Sequence, residues 1–221
     1  MSTATHSRAE AVTHARFISD RLGSALAVLP LGVWTLIHLW NNLAAFEGGP
    51  AWQSAVTEYP HPMAMGIAWA VVFIPLLWHT VWGLARIGQT RPNYPRYGYF
   101  ANLKYILQRL SALGLLAFLG AHLWLAFIKP RFVDGQPGEP FADIAHEMHF
   151  HRPTTIVYIL GVLAVAYHFA NGLHQALMTW GVSLSKESLR RWQLLAWVVF
   201  VAMLLMGWGA VFELYRRGAQ T

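Results

Sequence analysis

The sequence contains no cysteine among its 221 residues, and that absence removes several chemistries at once. Disulfides, thiolate-ligated haem, iron–sulfur clusters and covalent haem attachment through Cys-x-x-Cys-His all need a thiol. Charge is scarce too: 12% of residues are Asp, Glu, Lys or Arg, against 56% hydrophobic. So little polar side chain cannot coat a soluble globule, and the chain is placed in lipid. A nucleotide-binding glycine fingerprint, an internal repeat and a low-complexity tract are all lacking. Residues 1–20 are polar, so no cleavable leader is expected.

What charge there is lies in bunches. Arg21 to Glu47, Glu58 to Arg86, Arg109 to Lys129, Arg152 to Lys186 and Arg191 to Glu213 bracket five charge-free stretches. Crossing the hydrocarbon takes about 20 apolar residues at helical rise, so each stretch can span a bilayer. The expected fold is an all-α integral membrane bundle, a single domain over residues 1–221. Its five helices are expected near 22–46, 63–87, 107–128, 154–180 and 192–214, punctuated by Tyr59-Pro60-His61-Pro62, Arg91-Pro92-Asn93-Tyr94-Pro95 and Asp134-Gly135-Gln136-Pro137-Gly138. Trp52, Tyr59, Tyr97, Tyr99, Trp180, Trp192 and Tyr215 fall at the expected interfaces, where amphipathic rings are best placed.

Basic residues set the orientation. The N-terminal segment (Arg8, Arg16, Arg21), the second connection (Arg86, Arg91, Arg96, Lys104, Arg109) and the fourth (Lys186, Arg190, Arg191) hold eleven of the sixteen Lys and Arg. Those segments are expected in the cytoplasm, with the C-terminus outside. The formal charge of +6 then reads as topology and not as a nucleic-acid-binding patch.

The histidines carry the chemistry. Inside apolar helices lie His38, His79, His122, His168 and His174, and an ionisable group in hydrocarbon is costly without a partner. Helical rise places His38 about 12 Å, and His122 about 9 Å, from the outer ends of their helices. His79 lies about 9 Å, and His168 about 18 Å or more, from the inner side. Two layers of two imidazoles result, the arrangement that a stacked pair of bis-histidine haems requires, with layers about 10–15 Å apart. Gly83, Gly161 and Gly172 fall near the ligand faces, where a missing side chain suits either a flat porphyrin or close helix packing. His174 is turned about 120° from His168 and reads as a polar helix contact. His6 and His14 sit in a polar tail, and His146, His149 and His151 in a connection without a clear ligand scaffold.

From the residues alone, a di-haem cytochrome b of a succinate, formate or hydrogen-linked oxidoreductase and a haem-free transporter with a histidine proton relay both stay open. Glu58 and His61 are candidates for an outer quinone and proton site. Ser24, Arg109 and Thr179 are candidates for holding haem propionates, Arg109 by charge complementarity.

Longer segments add a resemblance. Arg21-Leu22-Gly23-Ser24 through Ile37-His38-Leu39, Pro75-Leu76-Leu77-Trp78-His79-Thr80-Val81-Trp82-Gly83, Leu107-Gln108-Arg109, His122-Leu123-Trp124 and Tyr167-His168-Phe169-Ala170-Asn171-Gly172-Leu173 through Thr179-Trp180-Gly181 resemble the single-chain di-haem cytochrome b subunit of succinate dehydrogenase and fumarate reductase. The resemblance spans all five helices. It implies two haem b groups, one held by His79 and His168 on the cytoplasmic side and one by His38 and His122 farther out. It also implies flavoprotein and iron–sulfur partner subunits on the cytoplasmic side of a bacterial inner membrane, and a quinone, menaquinone in the branch it is most like. Fumarate-reducing relatives use a carboxylate within helix IV, which Thr155 to Asn171 lacks, so succinate oxidation is the implied direction. Some relatives have histidine where Gly23 stands.

Overall fold

A computed structural model describes residues 14, 17–58, 62–89, 91–92 and 94–220. His6, Arg8, Arg16, the Tyr59-Pro60-His61 segment and Asn93 lie outside the described residues. Among the described residues the chain is all-α with no strand. The helices are α1 (Phe17–Phe46), α2 (Gly49–Val56), α3 (Pro62–Ile87), α4 (Phe100–Val133), α5 (Phe141–Phe150), α6 (Arg152–Thr179) and α7 (Lys186–Gly218). Five of these, α1, α3, α4, α6 and α7, are long and apolar enough to cross a membrane.

Local chemistry explains where these helices start, stop and bend. Ser185 caps α7 by accepting a hydrogen bond from the Ser188 amide at 3.1 Å, and Glu187 lies in the first turn with Arg216 and Arg217 in the last, which suits the helix dipole. At the end of α6 the Val182 amide donates to the Leu177 carbonyl and the Gly181 amide to that of Met178, both at 3.0 Å. Gly181, at φ +73°, supplies the left-handed residue that this closure needs. Two stretches are widened to π-helix, Ala27–Gly32 and Trp124–Val133, and each contains a proline, Pro30 and Pro130. A proline lacks the amide hydrogen that the regular ladder uses, and the wider turn absorbs the loss.

Several helices outrun the charge-free windows. α4 begins at Phe100, not near 107, and α7 reaches Gly218, not 214. Charged side chains close a hydropathy window without closing a helix, because Lys and Arg stems lie along apolar surface while their heads reach out. Contacts across the bundle give the helices alternating directions. At the end carrying the start of α1, here the amino face, Asp20 pairs with Arg86 of α3, the Trp180 indole donates to Ser24 Oγ at 3.0 Å, and Lys104 donates to Gln193 at 2.5 Å. At the opposite, carboxyl face, Arg217 donates to the Phe46 carbonyl at 3.0 Å.

α6 is the central helix, packed on both α4 and α7. The densest core lies toward the carboxyl face, where Ala45, Trp52, Ile144, Met148, Tyr158 and Val211 come together. Trp52 is thus buried within α2, donating to Asn42 Oδ1 at 3.1 Å, and does not join an interfacial ring belt. The cause is the short α2 and α5, which lie in the connections and fold back onto α1 and α7. Glu213 is 1% exposed and is held by Arg216 at 2.5 Å and Arg217 at 2.7 Å, the pairing that makes a buried carboxylate tolerable. Outward faces are apolar: Leu29, Ile74, Leu77 and Leu205 are 67–70% exposed, as lipid contact requires and water does not favour.

Candidate functional site

Four helices bring four histidines together in two pairs. His38 of α1 and His122 of α4 have ring centroids 5.9 Å apart, with planes at 70°. His79 of α3 and His168 of α6 have centroids 6.2 Å apart, at 69°. An imidazole nitrogen binds a first-row transition metal at about 2 Å, so two rings on opposite sides of one metal have centroids about 6 Å apart. Both separations match that spacing. The pair at the carboxyl face lies beside the dense core, and the other lies toward the amino face.

Partners from neighbouring helices orient the rings. His79 Nδ1 lies 3.2 Å from the Gly23 carbonyl of α1. His168 Nδ1 is 3.3 Å from the Gln108 carbonyl, and the Gln108 side-chain amide donates to the His168 carbonyl at 3.1 Å. Asn171 in turn donates to Gln108 Oε1 at 2.6 Å, fixing which way that amide points. His122 Nδ1 is 3.1 Å from the Tyr158 hydroxyl. An Nδ1 so engaged sets the tautomer and leaves Nε2 for a metal. His38 differs: its Nε2 lies 3.4 Å from Asn42 Nδ2, and its ring stacks on Trp34 at 4.7 Å.

Aromatic rings wall the carboxyl-face pair. Phe118 stacks on His122 at 5.4 Å and meets Tyr158 edge-on at 5.2 Å. A Cβ on Gly161 would come within 2.1 Å of the Phe118 ring, so this glycine admits Phe118 and serves helix packing. Gly83, four residues after His79, has no atom within 4 Å of such a Cβ. A Cβ on Gly23 would come within 2.7 Å of the Trp82 indole, so a histidine at that position requires the indole to move.

The spacing of the supporting residues carries a signal in the sequence. Trp34 and Asn42 flank His38 at four residues, Phe118 precedes His122 by four, and Trp82 and Asn171 follow His79 and His168 by three. Those offsets share a helix face.

Two half-buried imidazoles per layer, with no thiolate in the chain, could serve as the donor set of a haem iron. Among the described residues no group of three or more His, Asp or Glu forms another metal site. The α5 histidines are engaged separately: His149 Nδ1 bonds the Tyr215 carbonyl at 2.9 Å, and His146 packs on Phe150. His151, just after α5, meets Glu147 at 2.9 Å. His174 is buried with neither ring nitrogen within hydrogen-bond geometry of a partner.

The remaining candidates divide by location. Ser24 and Thr179 lie at the amino face, where Ser24 Oγ donates to the Asp20 and Arg21 carbonyls at 3.0 Å and Thr179 Oγ1 to Gln175 at 3.0 Å. Arg109 lies over the Tyr105 ring at 3.4 Å and donates to the Tyr105 carbonyl at 2.9 Å. At the carboxyl face Glu58 lines a cavity of about 540 Å³ with Gln53, Thr57, Met65, Gln136 and Gly138. His61 lies outside the described residues.

A multi-pass helical membrane protein with two internal histidine pairs defines the class: a membrane anchor with sites built inside its bundle. Residues 89–207 match the succinate dehydrogenase/fumarate reductase transmembrane subunit family. The succinate dehydrogenase cytochrome b558 subunit of Bacillus subtilis (strain 168) is 30% identical over 207 residues, which cover 89% of this chain and 96% of that relative. The chain belongs to this family of transmembrane subunits, and its role is that of a membrane anchor in an oxidoreductase complex of the succinate dehydrogenase type.

Proposed function

We propose that the two histidine pairs would hold two haem b groups, one between His38 and His122 and one between His79 and His168, and that the chain carries electrons between the iron–sulfur subunit of a succinate dehydrogenase and quinone. The observation that carries this reading is the spacing of the rings, 5.9 and 6.2 Å, at the separation that one iron between two imidazoles sets. A haem held by two imidazoles would supply one-electron transfer.

The chain's own residues do the rest. Gly23, Gln108 and Tyr158 hold the Nδ1 atoms of His79, His168 and His122, so each Nε2 is directed into its pair. Ser24 and Thr179 offer hydroxyls at the amino face, and Arg109 a guanidinium on α4, for propionate carboxylates. The basic amino face lies in the cytoplasm of a bacterial inner membrane, which makes His79 and His168 the inner pair, nearer the flavoprotein and iron–sulfur partners. His38 and His122 are the outer pair, and the carboxyl-face cavity with Glu58 is the quinone site, sized for a small-molecule ring. Menaquinone is the quinone this reading assigns, and succinate oxidation the direction.

The test uses membranes containing the whole complex. Adding succinate reduces a b-type absorbance band, and malonate, a dicarboxylate competitor of succinate, prevents it. A dithionite-reducible band that succinate leaves oxidised assigns the chain to another quinone-linked oxidoreductase. No dithionite-reducible band at all ends the haem reading.

A further inference from the structure

The four paired histidines meet unlike partners on neighbouring elements. His79 and His168 set Nδ1 against backbone carbonyls, Gly23 at 3.2 Å and Gln108 at 3.3 Å, which no side-chain substitution removes. His38 stacks on Trp34, and its Nε2 lies 3.4 Å from Asn42 Nδ2. His122 alone of the four meets a hydroxyl, with its Nδ1 at 3.1 Å from Tyr158 Oη. Tyr158 is 8% exposed, in the core it shares with Ile144, Met148 and Val211. By helical rise it stands about 9 Å along α6 from Arg152, where water competes little and a hydrogen bond is stronger than in water. Phe118 closes another side, edge-on to Tyr158 at 5.2 Å and stacked on His122 at 5.4 Å. The phenol ring is thereby held against the imidazole, with centroids 5.7 Å apart and planes at 67°. A phenylalanine would fill the same space, so what Tyr158 adds at this point is its oxygen.

We propose that Tyr158 sets the electron-donating strength of His122, and through it the midpoint potential of the haem proposed between His38 and His122. This rests on the haem reading given above. A histidine that offers Nε2 to a metal keeps its proton on Nδ1, so Nδ1–H is the donor and the Tyr158 oxygen the acceptor. Donating that hydrogen bond pushes electron density into the imidazole and makes Nε2 the stronger ligand. A stronger donor favours ferric over ferrous iron, so the Tyr158 hydroxyl lowers the potential. Tyr158 touches the ring of His122 and no reacting atom, which makes it a positioning residue for the outer pair.

The two layers are therefore tuned by different means. In the inner pair the Nδ1 acceptors belong to the helix backbones of α1 and α4, and they change only if a helix moves. In the outer pair one side-chain oxygen does the work, and it can be removed while the ring that carries it stays. Deleting the hydroxyl also takes a dipole out of an apolar site, which disfavours the ferric charge and raises the potential in the same direction.

The experiment is a spectroscopic redox titration of the intact complex at fixed pH, following the band that His122→Ala removes. Three samples are compared: wild type, Tyr158→Phe, and a complex carrying 3-fluorotyrosine in place of Tyr158. The titrant adds one electron per iron, and no bond to the chain forms or breaks. In Tyr158→Phe both haems remain low-spin and the outer midpoint rises by about a tenfold change in the reduced-to-oxidised ratio, ~59 mV for one electron, while the inner midpoint stays where it was. Fluorotyrosine keeps the ring and the hydroxyl but has a weaker acceptor oxygen, so its outer midpoint rises by less. A Tyr158→Phe complex with both haems bound and an outer midpoint unchanged or lowered overturns the proposal. If that variant fails to keep its outer haem, the fluorotyrosine complex decides, and an unchanged outer midpoint there overturns the proposal. A wild-type complex with no outer haem overturns the histidine-pair reading instead, so the two failures are distinguishable.

Discussion

Replacing His122 with alanine is expected to remove one of the two proposed haems and to leave the other spectrally intact. The two pairs use different helices, α1 with α4 and α3 with α6, and the contacts that orient His79 and His168 come from Gly23, Gln108 and Asn171. None of those contacts involves the His122 ring. Without it, His38 offers a single imidazole, and a six-coordinate iron needs two. The haem content of the purified complex falls by about half, and the band that remains keeps a low-spin bis-imidazole spectrum. Loss of both bands points to failed assembly and contradicts the independence of the layers.

The second large effect is expected at Gly161, which touches no histidine. A valine there drives its Cβ against Phe118, where an alanine-sized group already comes within 2.1 Å of the ring. Phe118 is stacked on His122 and set edge-on to Tyr158, so it cannot retreat without moving the ring and its hydroxyl partner. Overpacking of this kind costs about 1–3 kcal/mol, and here the strain falls on ligand geometry. Gly161→Val therefore lowers the outer-haem content and the thermal midpoint of the complex while the inner haem persists. Gly161→Val with a normal outer spectrum contradicts the claim that Phe118 sets the position of His122.

Much of this was legible in the sequence, for physical reasons that can be named. Charge-free windows gave the five spans because lipid tolerates few unpaired charges, and helical rise gave histidine depths because the spans are nearly regular helices. The pairs that this arithmetic sets in the same half of the bundle are the ones whose rings approach. Depth along an axis does not give rotation about it. The partners that orient the rings, Tyr158 for His122 and Gln108 for His168, come from other helices, and their roles depend on how each helix is turned. Short helices were missed for another reason. α2 and α5 are amphipathic segments of 8 and 10 residues whose docking on α1 and α7 is a tertiary effect, too brief to leave a hydropathy signal. Trp52 was expected at an interface and is buried because α2 folds inward. Gly161, read as a bed for a porphyrin or as helix packing, packs against Phe118, while Gly83 remains unencumbered.

Glu139 shows a different limit. As a sequence position it is an acid in a Pro-Gly-rich connection, where solvation is the ordinary outcome. Its burial arises from Gln53, 86 residues away in the chain, clasping the backbone around it. Nothing local encodes that contact.

The proposed function requires two irons held at two heights, by His38 with His122 and by His79 with His168. Quantitative haem extraction from the purified complex, set against the amount of this chain, measures it most directly. Two b-type haems per chain, both low-spin, is the predicted result. One haem or none per chain, or a high-spin iron with an open position, contradicts it.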